Sequence, residues 1–165
     1  MTSESRPIMW VSTSYNAQET FDLGVRVGKC LACDGGVLAL RGDLGAGKTL
    51  LTKGIAYGAG GVTAEQVQSP TFVHLNVYQG TQPIYHFDLY RLRDSDAFLS
   101  MGFEDYLFSK GVCCVEWSER IADILPQEAL MLTLTHLGGD RRRIDMPLSQ
   151  ARLLWAKGAK SARAL

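Results

Sequence analysis

Eight consecutive residues, Gly42-Asp43-Leu44-Gly45-Ala46-Gly47-Lys48-Thr49, carry the residue types that chemistry on a polyphosphate requires. They satisfy the phosphate-loop pattern G-x-x-x-x-G-K-S/T at every fixed position. Gly42, Gly45 and Gly47 allow backbone angles closed to residues with a Cβ, so the loop can turn its own N–H groups inward around an anion. Lys48 would reach the outer phosphates, and the Thr49 hydroxyl is a hard oxygen ligand suited to Mg²⁺. Asp43, Leu44, Gly45, Ala46, Gly47, Lys48 and Thr49 are therefore the expected nucleotide-binding residues. The competing reading is a glycine-rich turn that matches by chance; the Lys-Thr pair and both flanks disfavour it.

A phosphate loop needs a carboxylate on its metal side, at the end of a buried strand next to the loop. Two candidates stand in the chain. Glu116 follows Val112-Cys113-Cys114-Val115, a continuous apolar run of the kind found in central parallel strands. Asp88 follows the more amphipathic Ile84-Tyr85-His86-Phe87. Pattern favours Glu116 for the metal, which leaves Asp88 to hold a metal-bound water or orient the attacking one. Either acid could instead cap the next helix. Thr71, in Ser69-Pro70-Thr71-Phe72, suits a switch that senses the γ-phosphate, or simply starts a strand. Trp117 could pack on that segment or fill core. The basic run Arg141-Arg142-Arg143 reads as a solvated face, with a partner contact or one arginine near the nucleotide as alternatives, and Arg91, just past Asp88, is the better arginine candidate. His74, His86 and His136 show no metal-ligand spacing and read as strand or surface residues.

The elements that must position these groups alternate between strand and helix. A first strand over residues 8–14 leads into a helix capped by Ser14 or Asn16, with Phe21, Val25, Val27, Gly28 and Leu31 near helical spacing. Gly36–Arg41 is a short buried strand, and the helix after the loop stops in the glycine cluster 58–61. An extended stretch over 69–78, a turn at 79–82 and a strand over 83–90 follow. Asp94 or Ser95 caps a short helix through Met101, and residues 102–107 form another. The strand 111–117 comes next, then a pair of strands at 130–136 and 143–146. Ser149 caps a last helix through Lys157, and the small basic tail 157–163 is expected to fray.

The chain has 165 residues, with 46% hydrophobic and 21% charged, a composition that suits one soluble domain over 1–165 with a sizeable core. Seventeen Lys and Arg balance 17 Asp and Glu, so no broad field attracts nucleic acid or membrane. No apolar run reaches about 18 residues, so no membrane span is expected. The first seven residues lack the layout of an export signal. Cys30, Cys33, Cys113 and Cys114 do not suit a shared zinc site, because adjacent strand residues point to opposite faces. Buried thiols and no export signal point to the cytosol.

Five segments in order, the phosphate loop, Ser69-Pro70-Thr71-Phe72, His86-Phe87-Asp88-Leu89-Tyr90-Arg91, Gly102-Phe103-Glu104-Asp105-Tyr106 and Val115-Glu116-Trp117, closely resemble the TsaE (YjeE) family. The similarity runs over residues 10–147. The loop alone is common to many families; the later segments are far more particular. The resemblance implies an α/β P-loop NTPase fold, with a central mostly parallel sheet flanked by antiparallel strands and helices. It implies slow, Mg²⁺-dependent ATP hydrolysis that supports threonylcarbamoyl transfer to adenosine 37 of tRNA, alongside TsaB and TsaD, with tRNA met only through that complex. By the same resemblance, Thr49 and Glu116 match metal positions, Lys48 the phosphate lysine, and Asp88 and Thr71 positions tied to hydrolysis. Trp117 matches a switch-side tryptophan. Gln18 and Gly139 lie near the nucleotide on a looser alignment. A small P-loop kinase of a nucleotide or metabolite remains the alternative, although the arginine-rich lid such enzymes carry has no clear counterpart. A Ras-like GTPase is disfavoured because Asn-Lys-x-Asp is missing, and an ATP sensor without turnover is disfavoured by the two strand-end acids.

Overall fold

The computed structural model describes residues 6–163, so the extreme N-terminus read above for an export signal lies largely outside the described residues. Seven strands form one sheet: β1 Met9–Ser14, β2 Gly36–Arg41, β3 Leu75–Gln79, β4 Pro83–Asp88, β5 Val112–Glu116, β6 Leu130–His136 and β7 Arg142–Pro147. Their order is β1-β7-β6-β2-β5-β4-β3. The four inner strands β6, β2, β5 and β4 are mutually parallel, and the pairs β7–β6, β1–β7 and β3–β4 are antiparallel. The expected α/β P-loop architecture is therefore the one observed.

Five helices cover the two faces. α1 Ala17–Leu31, α2 Lys48–Gly60 and α5 Leu148–Arg163 pack on one face, where Leu23, Val27, Leu51, Ile55 and Leu154 meet Leu38, Leu40, Leu132 and Ile144 of the sheet. α3 Ser95–Ser100, α4 Glu104–Phe108 and a 3-10 turn Ser118–Ile121 cover the other, with Phe98, Leu107 and Ile121 against Phe87, Cys113 and Val115. β5 is buried along its whole length, as its apolar run requires. Cys113 and Cys114 belong to opposite cores, which separates them as the strand period dictates. Cys30 is buried too, but Cys33 is exposed, contrary to the expectation of four buried thiols.

α1 and α2 approach closely because glycines line their contact. Gly24 and Gly28 of α1 lie against the backbone of Leu51, Gly54, Ile55 and Ala59, and a Cβ on Gly28 would stand 2.8 Å from Ala59 N. Asn16 caps α1 by accepting from the Glu19 N–H at 2.8 Å, and the Glu19 carboxylate returns a contact from the Tyr15 N–H at 2.8 Å. Phe21 and Val25 are only half-buried; the inward face is Thr20, Leu23, Gly24, Val27 and Leu31. Three other boundaries differ from expectation. The segment 69–74 is a turn rather than an extended strand, closed by His74 N–H to Pro70 O at 2.7 Å. Helix α5 starts at Leu148, so Ser149 lies within its first turn instead of capping it. The helix also runs past Lys157 to Arg163, and Gly158 within it sits against Cys30 of α1, where a Cβ would come within 2.5 Å of Sγ.

Candidate functional site

The loop of residues 42–47 leaves the carboxyl end of β2, the strand with β5 on one side and β6 on the other. In parallel sheets that end is where ligands are held. Gly42, Gly45 and Gly47 have φ of +145°, +79° and +103°, so the loop's path depends on all three. A Cβ on Gly45 would meet nothing within 4 Å, which leaves conformation as the reason for glycine there. Gly47 is the left-handed N-cap of α2 and has no side-chain partner for the helix's first N–H groups. Those groups and the positive end of the helix therefore face the loop.

Parallel register brings the acids to the same place. Asp88 and Glu116 are paired residues at the ends of β4 and β5, and Glu116 also stands beside Leu40 of β2. Both are buried, at 5% and 3% exposure, on the sheet face that carries α2. Glu116 reaches the loop directly: Thr49 Oγ1 donates to its Oε1 at 2.8 Å and lies 3.1 Å from Oε2. His86 Nε2 is 2.7 Å from the same Oε1. Asp88 accepts from the Tyr90 N–H at 3.0 Å through Oδ1 and from the Ser69 hydroxyl through Oδ2. Ser69 Oγ lies 3.0 Å from Thr71 Oγ1, so Thr71 reaches the acid through one intervening hydroxyl.

Lys48 is the unusual charge. It is buried, with Nζ donating to Gly42 O at 2.5 Å and Asp43 O at 2.9 Å. Its ammonium also lies 4.1 Å from the centre of the Trp117 ring. Among the described residues no carboxylate comes within ion-pair distance of it. Burial pulls its pKa below the ordinary 10.5, opposed by the more distant Glu116, Glu119, Asp88 and Asp43. Trp117 reaches this position because the residue adopts φ 59°, ψ 40°, turning the chain sharply after Glu116 and stacking the indole 4.9 Å from Tyr90. Trp117 thus packs on the lysine and Tyr90 rather than merely filling core.

Leu44, Gly45, Gly47, Lys48, Thr49, Ser69, Thr71, Asp88, Glu116 and Trp117 line a cleft of about 370 Å³. Lys48, Thr49, Thr71, Asp88 and Glu116 are thereby assembled from four separate segments. Gln18 and Gly139 stand outside that lining. Gln18 is exposed and donates to Asp22 at 2.8 Å, while the Gly139 carbonyl lies 2.6 Å from His136 Nε2. Arg91, outside that lining too, lies 4.7 Å over the exposed Phe72 ring. Arg142 does approach the loop: a Cβ on Gly47 would fall 2.6 Å from its buried, unpartnered Nε.

Residues 14–144 match the model of the family described as "Threonylcarbamoyl adenosine biosynthesis protein TsaE". The chain belongs to the TsaE family. It is 40% identical to a tRNA threonylcarbamoyladenosine biosynthesis protein TsaE of Treponema pallidum, over 81% of this chain and 96% of the relative. The TsaE of Bacillus subtilis is 42% identical over 78% of this chain and 79% of its own. The fold also superposes on a crystal structure of Bacillus subtilis YdiB with a TM-score of 0.71 and 31% identity, covering 94% and 97% of the two chains.

Two residues of this TsaE-family site were not legible as site residues. His86 was read as an ordinary strand or surface histidine, yet it is fully buried against Glu116. The missed signal is its position two residues before Asp88, which puts both side chains on one face of β4. Ser69 stands in a segment that carries the family resemblance, but its own role was not legible, because its contact with Asp88 depends on a turn whose path the local sequence does not reveal.

Proposed function

We propose that this chain is a Mg²⁺-dependent ATPase acting in the biosynthesis of threonylcarbamoyladenosine in tRNA, together with TsaB and TsaD. Family membership supports the role in that biosynthesis. The ATPase reading rests above all on one observation: a buried lysine with no carboxylate at ion-pair distance among the described residues, in a glycine loop whose next residue touches a strand-end carboxylate. A triphosphate would supply the negative charge that the Lys48 ammonium lacks, and loop N–H groups would share the load.

The oxygen set fits magnesium. Thr49 Oγ1 and the Glu116 carboxylate are hard ligands already within 3.1 Å of each other. No cluster of three or more His, Cys, Asp or Glu side chains poised for a metal occurs among the described residues. That accords with an ion held by one or two protein oxygens plus phosphates rather than by a protein cage. Thr49 and Glu116 would hold Mg²⁺, whose positive charge would offset the negative charge that builds up in phosphoryl transfer.

Asp88 would orient the attacking water. Its carboxylate lines the cleft, and its two oxygens are pinned by Ser69 and the Tyr90 N–H, so its direction is fixed before substrate arrives. Thr71, coupled to Asp88 through Ser69, would report occupancy of the γ-phosphate position to that acid. For Gln18 and Gly139, which do not line the cleft, a nucleotide contact rests on the family resemblance alone.

Phosphate release from ATP and from GTP, measured with and without TsaB and TsaD, tests the reading. ATP-dependent release that the partners stimulate and that Lys48→Ala removes is the expected result. Transfer of the γ-phosphate to a small acceptor, with no free phosphate, would replace it with the kinase reading. Normal turnover in Lys48→Ala would end the phosphate-loop account.

A further inference from the structure

We propose that His86 is the positioning residue for Glu116: it holds that carboxylate in one orientation with and without nucleotide, which frees the second oxygen for the metal or a metal-bound water. This role rests on the ATPase reading above and deepens it.

Three features of the site carry the inference. First, His86 is fully buried and sits on the same β4 face as Asp88, so one strand delivers Asp88 to the cleft wall and His86 to the buried side of Glu116. Second, Glu116 Oε1 meets two neighbours, Thr49 Oγ1 at 2.8 Å and His86 Nε2 at 2.7 Å. Only the first can turn away: a hydroxyl rotates freely and would give its lone pair to a bound metal, whereas the imidazole is fixed in the core. Third, His86 Nδ1 is buried and has no hydrogen-bond partner among the described residues. A proton on Nδ1 would be a buried donor with no acceptor, so the ring proton belongs on Nε2, aimed at the carboxylate. The Tyr78 ring, centred 6.4 Å from the imidazole, packs beside it. When the Thr49 hydroxyl is drawn to the metal, the His86 bond is the one left to keep Oε1 occupied and Oε2 turned toward the cleft.

The test compares His86→Leu, which fills the space without a donor, with His86→Gln, whose amide can supply one. Mn²⁺ binding in the presence of ADP, followed by electron paramagnetic resonance, reads the metal site without turnover. Nucleotide affinity in EDTA reads the phosphate loop alone. His86→Leu should weaken Mn²⁺ binding by about 10–100-fold, the usual range for losing a residue that orients a ligand, with metal-free ADP affinity unchanged. His86→Gln should recover much of the loss. Wild-type Mn²⁺ affinity in a folded His86→Leu variant would overturn the proposal while leaving the ATPase reading intact. Failure of the wild-type protein to bind Mn²⁺ with ADP would instead remove the metal site itself. Should His86→Leu not fold, the wild-type protein still decides the matter by NMR. The Nε2-bound proton of His86 should stay protected from exchange before and after Mg²⁺ and ADP are added; its loss on loading would overturn the proposal.

Discussion

Lys48 holds a buried positive charge against two carbonyls and an indole, none of which neutralises it. Burial, the dominant cause, lowers its pKa, so the folded protein releases this proton at a pH where the unfolded chain still keeps it. At lower pH the charged amine therefore opposes folding, and the opposition fades as pH rises through the folded value. Phosphates act the other way, because they favour the charged form. ATP affinity should thus fall as pH climbs from the folded value toward 10.5, with proton uptake on binding across that window. Calorimetry in buffers of different ionisation enthalpy measures both; proton release would contradict the sign. Glu116 makes a separate prediction. Its replacement by Ala should leave much of the metal-free nucleotide affinity while abolishing Mg²⁺-dependent hydrolysis, and unchanged turnover would transfer the metal role to Asp88. The loop residues and both acids were legible because a fixed spacing and an apolar strand ending in an acid each state a physical requirement. The bond from His86 was not, since a histidine in a strand carries no such requirement by itself.

At the scale of elements, the contact between α1 and α2 places the phosphate-loop helix. Glycine on both helices lets their backbones touch, which fixes α2 against α1 while its N-terminus opens from the loop that leaves β2. Gly28→Ala would push a methyl group into the Ile55–Ala59 backbone and should cost about 1–3 kcal/mol, typical of overpacking. Urea unfolding should show a lower midpoint with an unchanged slope. A neutral result would mean that the helices can separate freely. Helix starts were readable where a side chain makes the cap, as at Asn16 and Asp94. The turn at 69–74 and the length of α5 were not, and each meets a partner remote in sequence: Ser69 bonds Asp88, and Gly158 packs on Cys30.

Across the whole molecule, the parallel inner strands and antiparallel margins gather Thr49, Asp88 and Glu116 from three elements at one end of the sheet. The family resemblance implied this fold class, and the strand–loop–helix run around residues 42–49 agreed with it. Strand order was beyond local pattern, since placing β2 between β5 and β6 depends on pairings far apart in the chain. Ligand linkage makes the stability of the whole fold depend on the cleft. Mg²⁺ with a non-hydrolysable ATP analogue at about 100 times its Kd should stabilise the native state by about 2.7 kcal/mol. A thermal melt should rise accordingly, and the rise should vanish in Lys48→Ala.

The ammonium resting against Trp117 also gives the molecule a built-in optical probe. The other two tryptophans, Trp10 and Trp155, pack together 5.6 Å apart, and neither lines the cleft. A charge 4.1 Å from an indole perturbs its excited state, and a triphosphate would draw that charge away. Adding nucleotide should therefore shift the intrinsic emission. The shift should survive replacement of Trp10 and Trp155 by Phe and disappear with Trp117→Phe, which makes the arrival of ATP visible in real time without any label.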